Sequence, residues 1–215
     1  MLQAITEPTG GPHEDLALDE LLFEAVEDER IAESLRLWEC HQVTVIMGRF
    51  GVVRSEVYEE SCLRDHVPLV RRTSGGGSVV VGRGCLNYSL VLSLDRRPEL
   101  QNVTRSYGII LGRIASALDL PGLEVRGLGD LALNERKVSG SAQRRGRHAL
   151  LHHGTMLYDF DLRLMECYLK KPARQPVYRR GRAHAEFAAN LPLSGETIRA
   201  RLARAWPLSR TECPP

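Results

Sequence analysis

Three consecutive glycines, Gly75-Gly76-Gly77, stand between two short apolar runs, Leu69–Arg72 and Ser78–Val81, and they constrain this chain more than any other feature. Glycine loses more backbone freedom on folding than any other residue, so ordering three in a row is costly. Such a run makes sense where the backbone must approach a ligand closely or adopt positive φ. Here it follows Arg71-Arg72-Thr73-Ser74. Two guanidiniums, two hydroxyls and unencumbered N–H groups can cradle a phosphate or a carboxylate. A tight turn without a ligand is the alternative reading of the same residues. No Gly-Lys-Ser/Thr follows, so this is not a Walker loop. No G-x-G-x-x-G opens a helix, so it is not a dinucleotide fingerprint.

The surrounding pattern mixes both periodicities. Leu18, Leu21, Leu22, Ala25 and Val26 predict a helix over Asp15–Ser34 with the acids on its other face. Val103, Tyr107, Ile110, Leu111, Ile114 and Leu118 predict a second helix over Val103–Leu118. Shorter helices are expected at Glu56–Asp65, Asp161–Leu169 and Glu196–Trp206. Strands are expected at Leu35–Trp38, Thr44–Met47, Leu69–Arg72, Ser78–Val81, Leu86–Ser93, Asp130–Leu133, Lys137–Ser141 and Ala149–Tyr158. Asn134-Glu135-Arg136 and Arg144-Arg145-Gly146-Arg147 have the length of hairpin turns. Gln175–Asn190 reads as irregular and basic, and Pro207–Pro215 as frayed. The succession implies an α+β fold, a mixed or antiparallel sheet with flanking helices, in a single domain over residues 1–215.

Composition narrows the function classes. No run of about 18 apolar residues exists, which excludes a membrane helix, and Met1–Gly11 lacks the layout of a secretory signal. The five cysteines, Cys40, Cys62, Cys85, Cys167 and Cys213, form no C-x-x-C pair. They read as free thiols in a reducing compartment, so the expected location is cytoplasmic. Residues 1–66 carry 15 acids and 5 Lys/Arg, whereas residues 67–215 carry 12 acids and 24 Lys/Arg. The basic larger part points to an anionic ligand or an acidic partner. Nucleic acid is disfavoured, because aromatics make up 6% and are not interleaved with the basic residues.

Two further segments carry chemistry. Lys137 enters a strand and is followed by Val138-Ser139-Gly140-Ser141-Ala142, small residues that leave space beside a fixed cation. An ammonium there can neutralise charge developing on phosphoryl or carboxyl oxygens. A plain surface lysine before a closely packed sheet is the alternative. In His152-His153-Gly154-Thr155, neighbouring strand residues point to opposite faces, so one histidine at most faces a pocket, and the pair is a poor metal site. Cys85 follows Gly82-Arg83-Gly84 and is either a nucleophile or a small core residue.

These segments, in their order and spacing, resemble the biotin/lipoate protein ligase catalytic-domain family, in its lipoate–protein ligase A branch. The resemblance runs from Leu16-Ala17-Leu18-Asp19-Glu20 through Val45–Phe50, Arg71–Gly77 and Leu86-Asn87-Tyr88-Ser89. It continues through Asp130-Leu131, Arg136–Ala142 and His152–Leu157, covering about residues 14–165. It implies the class II biotin/lipoate ligase-like fold. It also implies Mg·ATP-dependent activation of lipoate to lipoyl-AMP, then transfer to a lysine of an apo lipoyl domain, whether in a 2-oxoacid dehydrogenase complex or in the glycine cleavage H protein.

By the same resemblance, Lys137 is the catalytic cation. Arg72, Ser74, Gly75, Gly76, Gly77, Ser78, Val79 and Val80 bind ATP and the acyl-adenylate. Asn87, Asp130, Ser139, Gly140, His153 and Thr155 support the pocket, and the ligands of the Mg ion are not identified. The chain departs from the family pattern at Val81-Gly82-Arg83-Gly84-Cys85 and at Gly129. Two-domain ligases also carry a C-terminal accessory domain for which 215 residues leave no room, so a separate accessory subunit is one expectation. Octanoyltransferases of the same fold use a cysteine, expected near Glu124–Gly129, where this chain has none. Cys85 is then the alternative nucleophile, and a non-catalytic binder of the same fold is the third class. Six basic residues between Lys170 and Arg182, with Arg179 and Arg180 at their centre, form a candidate docking edge for the acceptor.

Overall fold

Side-chain alternation along Cys85–Ser93 and Ala149–Leu157 decides how the molecule is layered. The structure, a computed structural model, describes residues 2–5, 10–206 and 208–209. Its elements are β1 (Leu2–Ile5), α1 (Pro12–Glu27), β2 (Ser34–Glu39), β3 (Thr44–Met47), α2 (Val53–Glu56), α3 (Glu59–Arg64), β4 (Leu69–Arg71), β5 (Val79–Val81) and β6 (Cys85–Ser93). They continue with α4 (Val103–Leu118), β7 (Leu123–Arg126), β8 (Asp130–Leu133), β9 (Arg136–Arg145), β10 (Ala149–Leu157), α5 (Arg163–Tyr168), α6 (His184–Phe187), α7 (Gly195–Ala205) and β11 (Leu208–Ser209). Among the described residues the strands form a large mixed sheet, β11-β1-β2-β6-β10-β9-β8-β7, and a small one, β4-β3-β5. The α+β expectation holds.

On one face of the large sheet, Leu86, Tyr88, Leu90 and Leu92 of β6 and Leu150 and Met156 of β10 pack against α4 and α7. Ile110, Leu111, Ile114 and Leu118 supply the helix side of that core, at 2% exposure or less. Burying each such side chain contributes roughly 1.5–3 kcal/mol. Asn102 caps α4, its side chain accepting the Arg105 N–H at 3.0 Å. On the opposite face, Val91, Ala149 and Leu151 meet Leu22, Phe23 and Val26 of α1. At the other end of that face, Cys85 and Leu157 meet Val45, Ile46, Val80 and Val81 of the small sheet. Between these two apolar zones lie Asn87, Ser89, His153 and Thr155, and there the cavity opens.

Several expectations need correction. Helix α1 stops at Glu27, and Glu29 turns the chain with φ 57° so that Ser34 can begin β2. Its acids are not all on a wet face. Asp15 and Asp19 are buried and paired with Arg36, itself 1% exposed, while Leu21 of the proposed apolar stripe is 61% exposed. The buried guanidinium of β2 needs anionic partners, and that need rotates the helix. Glu56–Asp65 is split into α2 and α3 by a bridge from Val57 to Leu169.

The expected turn at Arg144-Arg145 is strand, since β9 pairs with β10 out to Arg145 opposite Leu150. Arg144 is ion-paired with Glu20 at 2.7 Å. Strands β1 and β7 were not expected. Leu208–Ser209, expected to fray, pairs in parallel with Leu2–Gln3, and the rest of Pro207–Pro215 lies outside the described residues.

Two positions in β10 give tests of this packing. A Cβ at Gly154 would lie 2.6 Å from the Gly140 carbonyl oxygen and 2.7 Å from the Tyr88 hydroxyl, whereas one at Gly77 would meet nothing within 4 Å. Gly154→Ala should therefore lower unfolding stability by about 1–3 kcal/mol in urea titration, with Gly77→Ala close to wild type; equal effects would contradict this packing. His152 is fully buried, stacked on Tyr88, with Gln143 Nε2 3.0 Å from its Nδ1. Burial pushes its pKa down to about 3. The unfolded chain then binds the extra proton below about pH 6.5, so stability falls as pH drops. Between pH 6.5 and 5 the wild type should lose about 1–2 kcal/mol more than His152→Gln, measured as the difference in unfolding free energy; parallel curves would refute it.

Candidate active site

A register shift in the large sheet puts Lys137 into the cavity. Leu131 pairs with Ser139 and Ala132 with Lys137, so Val138 is an extra residue on β9. Such a bulge re-aims the side chain beside it. Without it Lys137 would share the face of Ser139; with it, Lys137 lies on the side of Gly140 and Asp130. Its Nζ sits 2.6 Å from Asp130 Oδ1, and Asp130 Oδ2 accepts the Tyr178 hydroxyl at 2.9 Å. A Cβ on Gly140 would lie 2.6 Å from that Nζ, so the ammonium crosses the strand over a bare backbone. Lys137 remains one-third exposed, open to the cavity.

The glycine loop faces it from the small sheet, ordered by Arg72. Its guanidinium is buried and donates to Ser74 Oγ at 3.0 Å, to the Ile46 carbonyl at 3.3 Å, and to the Gly75 and Gly77 carbonyls at 2.7 and 2.9 Å. Three of its five N–H groups are thus spent on the loop and a fourth on strand β3, and burial lowers its pKa to about 10, which leaves it charged. Gly76 takes φ 90°, and its carbonyl packs on Gly48, where any Cβ would collide. Ser78 is tied to Glu56, which accepts both its N–H at 2.8 Å and its hydroxyl at 2.7 Å.

A polar chain joins this loop to the large sheet. Ser74 Oγ accepts from Arg72 and is hydrogen-bonded to His153 Nε2 at 2.5 Å. His153 Nδ1 is 4.0 Å from Asp19 Oδ2, which accepts the Ser89 hydroxyl at 2.5 Å. Burial, with Arg72 and His152 nearby, pushes the His153 pKa down to about 3, so it is neutral. Burial raises Asp19 to about 6 against the lowering effect of Ser89 and Arg36.

The cavity encloses about 790 Å³, within the roughly 300–1,000 Å³ usual for small-molecule sites. Trp38, Ile46 and Leu157 are apolar residues of its lining, and Lys137, Arg72 and Arg179 are cations on it. The structure brings together Arg72, Gly76, Gly77, Ser78, Val79, Val80, Asn87, Asp130, Lys137, Ser139, Gly140, His153 and Thr155 on its lining. Ser74 and Gly75 stand behind it through Arg72.

Cys85 is not on the lining. It is fully buried, packed among the small-sheet valines, and burial pushes its thiol pKa far up, which disfavours a thiolate. The proposed docking edge also divides. Arg180 is exposed, but Arg179 is 4% exposed and turned inward onto Phe187, so the two do not form one surface. Glu56 and Tyr178 escaped sequence reasoning, and Arg179 entered it only as part of the docking edge. Glu56 begins an expected helix and carries no motif, while Tyr178 and Arg179 lie in a stretch without periodicity. Only the aromatic within the basic run hinted at an inward turn there.

Comparison with known proteins agrees with this geometry. Residues 11–192 match the lipoyl protein ligase A/B catalytic domain. A lipoate-protein ligase A of Blochmanniella floridana is 31% identical over 180 residues, covering 81% of this chain and 50% of that protein. An octanoyltransferase LipM of Clostridioides difficile is 25% identical over 169 residues, 69% of this chain and 62% of its own. The chain spans about half the length of the ligase relatives it matches.

Among solved structures, the bi-partite lipoate protein ligase of Thermoplasma acidophilum, described with its E2 lipoyl domain, superposes with a TM-score of 0.75 at 26% identity, over 95% of this chain and 81% of that one. A lipoate-protein ligase A bound with ATP gives 0.74 at 25% identity, over 95% and 82%. With its match running from residue 11 to residue 192, the chain belongs to the lipoyl protein ligase A/B catalytic-domain family.

Proposed function

We propose that this chain is the catalytic part of a lipoate–protein ligase, which activates lipoate with ATP to lipoyl-AMP and transfers the acyl group to a lysine of an apo lipoyl domain. The observation that carries the reading is the placement of the Lys137 ammonium, held by Asp130 and Tyr178, on the cavity lined by the glycine loop. Among the described residues no cysteine lines that cavity. In the first half-reaction the lipoate carboxylate attacks the α-phosphorus and pyrophosphate leaves. In the second, the neutral acceptor amine attacks the acyl carbonyl and AMP leaves. Both place negative charge on oxygens that a fixed ammonium stabilises, and neither needs a protein nucleophile. The apolar lining residues Trp38, Ile46 and Leu157 suit the acyl chain, and the loop at Gly76–Val80 the adenylate.

The carboxylates on the lining suit a magnesium ion only as minor ligands. Asp130 is engaged by Lys137 and Tyr178, Glu56 by Ser78, and Asp19 by Arg36 and Ser89. Magnesium accompanying ATP would be held chiefly by phosphate oxygens and water, as its reluctance to dehydrate favours. It would neutralise phosphate charge there. The ATP-bound relative supports the nucleotide, and the lipoyl-domain partner of the Thermoplasma ligase supports the acceptor. Acceptor identity, 2-oxoacid dehydrogenase lipoyl domain or H protein, and the need for an accessory subunit are part of the same test.

Intact-mass spectrometry of an apo lipoyl domain tests the proposal under two donors, lipoate with Mg·ATP or octanoyl acyl carrier protein without ATP. A lipoyl mass shift is expected with the first only, reduced by about a hundredfold or more in Lys137→Ala, and unchanged in Cys85→Ser. Modification with the second donor, lost in Cys85→Ser, would make the protein an octanoyltransferase. Silence with both, relieved by adding the small accessory subunit of a bi-partite ligase, would establish that need.

A further inference from the structure

Among the described residues three arginines are buried to 8% exposure or less, and two of them have their charge met, although the Arg36 Nε lacks a hydrogen-bond partner. Arg36 has Asp15 and Asp19, and Arg72 has the carbonyls of its loop. Arg179 has neither. Its Nε donates to the Arg182 carbonyl at 3.0 Å, its plane lies over Phe187 at 4.9 Å, and its Nη2 has no partner at all. No carboxylate among the described residues lies within ion-pairing distance of it. Glu166 and Asp130 act on its charge only from beyond that distance; a buried guanidinium without a contacting anion is costly, and a chain tolerates one where a ligand supplies the charge.

The backbone is built to keep it there. Arg180 takes the left-handed conformation, φ 52°, which sends its own side chain to solvent and leaves Arg179 facing inward. Such a conformation is uncommon for a residue other than glycine. Arg182 staples the turn, donating to the Glu135 carbonyl at 2.8 Å and the Tyr178 carbonyl at 2.9 Å. Tyr178, one residue away, is the group that holds Asp130 and so Lys137. One turn therefore positions both the Lys137 ammonium and a second cation, whose Nη2 has no partner, on the lining of one cavity.

We infer that Arg179 binds a phosphate oxygen of the nucleotide, opposite the oxygens that Lys137 stabilises. The inference rests on the nucleotide reading of this cavity given above. A guanidinium offers a planar fork that matches a phosphate, which an ammonium does not.

Calorimetric titration of the full chain with Mg·ATP, adenosine, lipoate and inorganic pyrophosphate separates the possibilities, using wild type, Arg179→Met and Arg179→Lys. Arg179→Met should weaken ATP by about tenfold or more. Adenosine and lipoate should change by less than about twofold, and Arg179→Lys should recover part of the loss for ATP. Equal weakening of ATP and adenosine would mean that Arg179 only shapes the loop, and would overturn the inference. So would unchanged ATP affinity, or weakening of lipoate alone. A wild-type protein that binds lipoate but neither ATP nor pyrophosphate would overturn the nucleotide reading and this assignment with it. ATP binding that is identical in wild type and Arg179→Met would overturn the assignment alone.

Discussion

The grip of Arg72 on its own loop is the interaction on which the site depends. Three glycines would populate many conformations, and their ordering cost falls on whatever holds them. A buried guanidinium that donates to two carbonyls of the run, to Ser74 and to a strand carbonyl supplies that order from within the small sheet. Ser74 then passes the constraint across to His153 in the large sheet, and His153 stands near Asp19, the partner of Arg36. The two sheets are thereby tied by polar contacts in addition to the apolar packing of Cys85 and Leu157 on the small-sheet residues. A neutral His153 suits this role, since a charge there would oppose Arg72.

The second constraint is the bulge at Val138. A strand read strictly by alternation would put Lys137 and Gly140 on opposite faces, and the ammonium would miss the cavity. One extra residue reverses the face of everything on its far side. Val138 stays in the core beneath α4 while Lys137 turns to the cavity and Asp130. Gly140 is then required for space rather than for its backbone freedom, because the lysine side chain lies where its Cβ would be. The same spatial logic applies at Gly48, which the carbonyl of Gly76 approaches more closely than any side chain would permit.

Membership of the lipoyl protein ligase A/B catalytic-domain family leaves ligation and acyl transfer both open, and the geometry of the cavity favours the first. A positioned cation, a backbone cradle and apolar lining residues suit the acyl-adenylate chemistry proposed above. The thiol that a transferase would need is absent from the lining among the described residues, and Cys85 lies in a core that disfavours its ionised form. Relatives with either activity share this fold, so the discriminating feature is the local chemistry of the lining and not the topology.

Much of this was readable in the chain. The α4 helix, the strands β6, β8 and β10, the α+β class and the glycine loop follow from periodicity and residue type, because each is decided by neighbours within one turn or one strand, whereas the role of Lys137 comes from the family resemblance. The split environments of His152 and His153 follow from strand alternation alone. What the chain could not show were features set by distant partners. Asp19 reads as a solvated helix acid until Arg36 is folded beneath it, and Arg180 reads as one more cation in the basic run that Arg179 leaves by turning inward. Strands β1 and β11 exist only through each other and β2. Local sequence determines which residues can form a helix, a strand or an anion cradle. Tertiary structure alone decided which charges are buried and which face Lys137 presents, since burial and register depend on contacts between residues far apart in the chain.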